Sequence, residues 1–171
     1  MAVTASTWQP LRGDKRWAYL TRARTIRVAS TDADGGIYLS PLWLVVHEKR
    51  IYIPIDAGSR HAANAAAGRP LSALVDLGEE YATVSGVRIT GTLTEVTDSA
   101  LAATIADLVV DKYFHVGHPF LEQYQEFGDV AGRGYWELVP DRMIGWDMRE
   151  LYTLPMPEKR TLPAHVTDRL V

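Results

Sequence analysis

At 171 residues, with 47% hydrophobic and 23% charged side chains, the chain is long enough for one proper hydrophobic core and has the composition of an ordinary globular domain. A formal net charge of −3 supplies no bulk basicity, so nucleic acid and acidic membrane surfaces are not expected partners. The absence of cysteine excludes disulfides, thiolate metal sites and cysteine nucleophiles. No segment has the apolar core of a signal peptide or a membrane-spanning length, and a cytoplasmic protein is expected.

Residues 1–12 read as a flexible arm, and Asp14 to Arg22 as a short helix with Trp17 and Leu20 facing inward. Thr25 to Ser30 is a first strand, closed by the Asp-Gly-Gly turn that ends at Gly36. Ile37 to His47 is a second strand, apolar on both faces near its end, which therefore needs cover on both sides. Pro41 within it lacks a ladder donor and belongs at an edge, at a bulge or beside a ligand. Arg50 to Asp56 alternates isoleucines with polar or special residues, the period of a half-buried strand.

Gly58 then permits a turn, Ser59 is a good N-cap, and the alanine-rich run that follows is helical until Gly68 and Pro70. Free amides beside Arg60 would attract an anion, most naturally a phosphate. A capped surface helix with a solvated arginine accounts for the same spacing. Leu71 to Leu77 and Val84 to Val96 are further strands, the latter turning Val87, Ile89 and Leu93 to one face. Gly86 and Gly91 mark bends or close backbone approaches.

Thr97-Asp98 caps a helix from Ser99 to Tyr113, with Leu101, Ile105, Leu108 and Val109 as its buried stripe. His115 to Gly134 reads as an irregular connection with one helical turn near Phe120 to Tyr124. Tyr135 to Val139 and Arg142 to Asp147 are two closing strands joined at Pro140-Asp141, and 155–171 is a proline-containing charged tail. Six or seven mostly antiparallel strands with few helices predict a mainly β fold, a small Greek-key barrel that removes exposed edges.

No P-loop, zinc-protease helix or serine-hydrolase elbow is present. His115 and His118 have metal-like spacing, yet Gly117 and Pro119 argue against a helix that would hold both rings together, so no metal is assigned. The glycines from Gly128 to Gly134 precede a strand, the wrong context for a dinucleotide fingerprint. Trp43 and Trp146 are the tryptophans placed to stack on a ligand, with packing as the competing role.

Ser40-Pro41-Leu42-Trp43 after the Asp-Gly turn, Gly58-Ser59-Arg60-His61-Ala62-Ala63-Asn64 leading to Gly68-Arg69-Pro70, Val87 to Gly91, and Pro140 to Asp147 occur in an order that resembles the pyridoxamine 5'-phosphate oxidase-like split β-barrel superfamily. That superfamily includes flavin- and deazaflavin-dependent oxidoreductases. The resemblance implies a homodimeric antiparallel split barrel over 13–154, with two cofactor sites at the subunit interface. It implies FMN, or the deazaflavin F420 as alternative, with the phosphate at Ser59, Arg60 and His61 and with Asn64 among the cofactor-binding residues. The ring system would lie against Ser40, Pro41, Leu42, Trp43, Ile53, Pro54 and Ile55.

His61 departs from the lysine usual at its position, since a neutral imidazole brings no charge near pH 7. Arg27 or Arg88 is the candidate compensating base. The implied activity is hydride transfer between the cofactor and a small organic substrate, the ring supplying the redox chemistry, which leaves catalytic side chains unassigned. A haem-binding module with His47, His61, His115 or His118 as axial ligand, and a cofactor-free dimer, are the alternatives.

Overall fold

The computed structural model describes residues 10–78, 83–115 and 117–148. In chain order these form α1 (Gly13–Arg22), β1 (Ile26–Thr31), β2 (Ile37–Leu42), β3 (Val45–His47), β4 (Arg50–Asp56), α2 (Arg60–Ala66), β5 (Leu71–Leu77), β6 (Ser85–Glu95), α3 (Ser99–Tyr113), α4 (Leu121–Ala131) and β7 (Arg133–Asp147). All strand pairs are antiparallel, in one seven-stranded sheet of order β2-β1-β5-β6-β7-β4-β3.

The expected single strand from Ile37 to His47 is two strands, on opposite edges of that sheet. Only Trp43 and Leu44 lie between them. Three Cα–Cα steps span at most about 11 Å, so the two edges must approach one another and the sheet curls into a barrel with a seam. This is the split barrel. Pro41 sits on the edge strand β2, where its missing donor interrupts nothing beyond its partner β1. The double cover expected near the end of this stretch is present. Leu44 is fully buried in the barrel interior, and the adjacent Val45 is buried in a second cluster with Ile105 and Val109 of α3.

β4 differs from the half-buried strand expected. Ile51, Ile53 and Ile55 fill the interior, and Tyr52 on the opposite face is only 1% exposed, against α3. Both faces are buried because α3 lies over this part of the sheet. The N-cap of α3 is as predicted, the Asp98 carboxylate accepting from the Ala100 and Leu101 amides. Its buried stripe is Ile105, Val109 and Tyr113, with Leu101 and Leu108 at the margin.

Two expectations about the C-terminal third are corrected. Pro140-Asp141 is no turn between strands: β7 runs unbroken, and the register against β6 shifts between Thr90 and Gly91 so that Asp141 bulges out. A Cβ on Gly91 would lie 2.0 Å from the Val139 carbonyl oxygen, the close approach for which glycine is required. Residues 121–131 form a helix where an irregular connection was expected. Gly128 is buried inside it against Arg133, and Gly132 ends it in the left-handed conformation at φ +63.

At the other end, Pro10 bridges to Trp146 and the Leu11 amide donates to the Gly145 carbonyl. The inner end of the expected arm is thus attached to the sheet. Residues 1–9 and the tail 155–171 lie outside the described residues. Among the described residues no helix is long and apolar enough to cross a membrane.

Candidate functional site

The barrel seam opens a cleft of about 520 Å³. Pro41, Leu42 and Trp43 reach it from the edge strand and the crossing, and Pro54 from β4 on the other side of the seam. These are four of the seven residues expected around a ring system. The other three are elsewhere for a reason of parity. Ile53 and Ile55 alternate with Pro54 and turn into the core, 0% and 3% exposed. Ser40 alternates with Pro41 and turns inward to His61. The polar end of the cleft is an ion pair between Asp56 and Arg133, 2.9 Å apart and opposed in the β4–β7 ladder. Sequence reasoning missed both, because a pairing across 77 residues leaves no local signal.

The crossing is fastened from behind. The Tyr113 hydroxyl accepts from the Leu44 amide (2.9 Å), and its own proton lies between the carbonyls of Arg24 (2.7 Å) and Leu44 (2.8 Å). Burial pushes this phenol up to about 12, so it stays a donor. The Lys112 ammonium also donates to the Leu44 carbonyl at 2.8 Å, and burial, with Arg24 nearby, lowers it to about 8. The sequence signal for Tyr113 is its spacing of four from Val109, which continues the helix stripe.

Trp43 stacks on Tyr113 with ring centres 4.2 Å apart and planes 7° from parallel. Tyr124 meets it at 5.4 Å and Phe114 edge-on at 5.7 Å. Beyond this wall lies a second cavity of about 420 Å³, sharing Trp43 and Tyr124 with the first and bordered by Phe114, Phe120 and Phe127. Of the two strand tryptophans singled out by sequence, Trp43 lines both cavities. Trp146 packs against Gly86, where a Cβ would fall 2.5 Å from its ring.

The expected phosphate corner is a separate concavity beside α2, lined by Arg60, Asn64, Arg69, Asp32 and Asp34. Ser59 caps the helix by accepting from the Ala62 amide at 3.2 Å. Arg60 is 69% exposed, and its guanidinium meets Asp32 at 3.3 Å and lies over the Tyr38 ring, 5.4 Å from its centre. Asn64 donates to Ser30 Oγ (2.8 Å) and Asp32 Oδ1 (2.9 Å) and accepts from Arg69. The second cation of the corner is therefore Arg69. Arg27 is engaged with Asp76 on the outer face of the sheet, and Arg88 lies across the shared neighbour Leu74 on the same face.

His61 does not face the corner. It is 2% exposed, with Nδ1 3.1 Å from Ser30 Oγ and Nε2 2.7 Å from Ser40 Oγ. Burial holds the imidazole below its ordinary value, partly opposed by the Asp32 carboxylate. It is a neutral bridge between β1 and β2. His118 borders the aromatic cavity and its Nδ1 accepts from the Phe120 amide; His115 packs against it at 5.1 Å, and His47 ends β3. Among the described residues no three metal-ligating side chains are grouped.

The sequence model for pyridoxamine 5'-phosphate oxidase matches residues 14–147. No protein of curated function matches the sequence. Conserved hypothetical protein Rv2991 from Mycobacterium tuberculosis superimposes with a TM-score of 0.73 at 21% identity, over 94% of this chain and 99% of that one. An FAD-binding protein from Mesorhizobium loti gives 0.59 at 17% identity, over 81% and 96%. The haem storage protein HutZ from Vibrio cholerae gives 0.58 at 15% identity, over 82% and 99%. At these identities the likenesses are of fold. The sequence match covers the whole barrel, from the first helix to the last strand, and by it the chain belongs to the pyridoxamine 5'-phosphate oxidase family.

Proposed function

We propose that the protein binds FMN in the seam cleft and transfers hydride between it and a small organic substrate, as a homodimer; F420 is the alternative cofactor. The observation that carries this reading is the cleft itself. It has the size of small-molecule sites, and its walls are flat and apolar at Pro41, Leu42, Trp43 and Pro54, with a charged pair at one end. The residues present fit a planar ring. The flavin-binding neighbour supports the same class of ligand.

When bound, the ring supplies the redox chemistry. The chain's own contribution is positional. Pro41, Trp43 and Pro54 exclude water from one side, and the Asp56–Arg133 pair fixes the polar end. Arg60 is the exposed cation nearest the turn at Ser59, and Asp32 competes for it. An anionic tail would have to displace that contact. Because Arg60 is largely exposed, its loss should be screened: Arg60→Ala is expected to cost about 1 kcal/mol, some fivefold in Kd for FMN. Absorbance titrations of wild type and variant with FMN and with F420 measure this. Unchanged affinity removes Arg60 from the site. A Soret band on haem addition that is lost in His118→Ala would replace the flavin reading. No thermal shift from FMN, F420 or haem would favour a cofactor-free dimer.

The homodimer reading rests on the outer face of β1, β2 and β5. Ile37 and Leu39 are 70% and 62% exposed there, with Ala29 and Leu74 partly covered beside them. Two adjacent large aliphatics on an edge strand invite a second copy. Leu39→Asp should weaken self-association by about 2 kcal/mol per subunit, the burial of one leucine. Sedimentation at falling concentration reads it, and a variant as dimeric as wild type would move the interface elsewhere.

A further inference from the structure

The cavity beyond Trp43 has chemistry of its own. Six of its lining residues are Trp43, Tyr113, Phe114, Phe120, Tyr124 and Phe127, and its polar ones are His118 and Gln123. No carboxylate, ammonium or guanidinium lines it, so a charged guest would lose its water without gaining a counter-ion. An edge-and-face arrangement of rings instead favours another flat ring. The volume of about 420 Å³ admits one small polycyclic molecule, and the exposed Phe120 and Phe127 form an apolar rim.

Tyr124 presents its ring to the cavity, while its hydroxyl is buried away from it beside Arg133. One donor selects further. His118 accepts through Nδ1 from the Phe120 amide, so in the neutral ring the proton sits on Nε2.

We infer that this cavity is a substrate subsite for an uncharged planar arene bearing a hydrogen-bond acceptor. The assignment to substrate rests on the flavin reading, since Trp43 and Tyr124 line both cavities and bring any guest next to the seam cleft. Phe120, Phe127 and His118 border this cavity and not the cleft.

Equilibrium dialysis of the purified full-length protein against three probes of one shape tests the inference: 2-acetylnaphthalene, naphthalene and 2-naphthoate. The ketone should bind saturably, and the carboxylate at least tenfold more weakly. His118→Phe should weaken the ketone about tenfold and leave naphthalene unchanged. Phe127→Ala, at an exposed position, should weaken all three without altering FMN affinity. Equal binding of ketone and carboxylate, no saturable binding, or an unselective His118→Phe would overturn the subsite. FMN and F420 titrations run in parallel separate the two readings: cofactor binding without ketone binding overturns the subsite alone, and ketone binding without either cofactor overturns the flavin reading and with it the assignment to substrate.

Discussion

Replacing Trp43 with alanine is expected to lower folding stability by about 3 kcal/mol and to remove measurable FMN binding, while phenylalanine at the same position keeps most of both. The stability loss follows from where the indole sits. It occupies half of the two-residue crossing that joins the sheet's opposite edges, stacked on Tyr113 and touched by Phe114 and Tyr124. Removing it opens a void between the barrel seam and α3, and the ring contacts of the outer cluster go with it. For a domain of this size about 3 kcal/mol is a fall in Tm of roughly 6–12 °C. The binding loss follows from the same position, because the indole is the partition between the two cavities. Urea unfolding and an FMN titration on both variants check the pair of effects. A Trp43→Ala protein that melts with wild type, or binds FMN as well, would show that the seam is not organised around this side chain.

What sequence shows of this fold is what local period and turn chemistry encode. The Asp98 cap, the glycine close approaches at Gly86 and Gly91, the Ser59 cap and the inward set Val87, Ile89 and Leu93 are each written in a few consecutive residues. The division of Ile37 to His47 into two edge strands is not. It depends on β2 pairing with β1 and β3 pairing with β4, and no feature of Trp43-Leu44 announces a change of partner. Helix α4 was hidden by its glycines. Gly128 and Gly132 look like loop residues until Arg133 is seen packed over one and the helix ending at the other.

The candidate site divides in the same manner. Pro41, Leu42, Trp43 and Pro54 were legible only through the resemblance, which lays a ring system against these two stretches. Asp56, Arg133, Tyr124 and Asp32 were not, because each enters through a contact between elements distant in sequence. The resemblance places His61 on the phosphate. The structure turns it between two serines, where a neutral imidazole with two nitrogens bridges Ser30 and Ser40 without burying the charge that a lysine would bring.

That bridge makes His61 the second position of large effect, with a pH signature that separates it from simple packing. His61→Ala leaves a void at a site 2% exposed and deprives the Ser40 hydroxyl of its 2.7 Å partner, while Ser30 keeps Asn64. A loss of about 3 kcal/mol is expected at pH 8. The pH dependence has a definite sign. In the unfolded chain the imidazole titrates near 6.5, and in the folded protein burial lowers it. As pH falls through about 6.5 the unfolded state takes up its proton first, so stability declines until the folded ring also titrates; above that range His61 imposes no such penalty. His61→Asn, which keeps a donor and an acceptor without a titrating group, should therefore lose less stability than wild type between pH 7 and pH 5. Unfolding free energies across that interval decide it. Equal slopes for wild type and His61→Asn would mean that the imidazole titrates alike in both states, and the inward bridge to Ser30 and Ser40 would have to be given up.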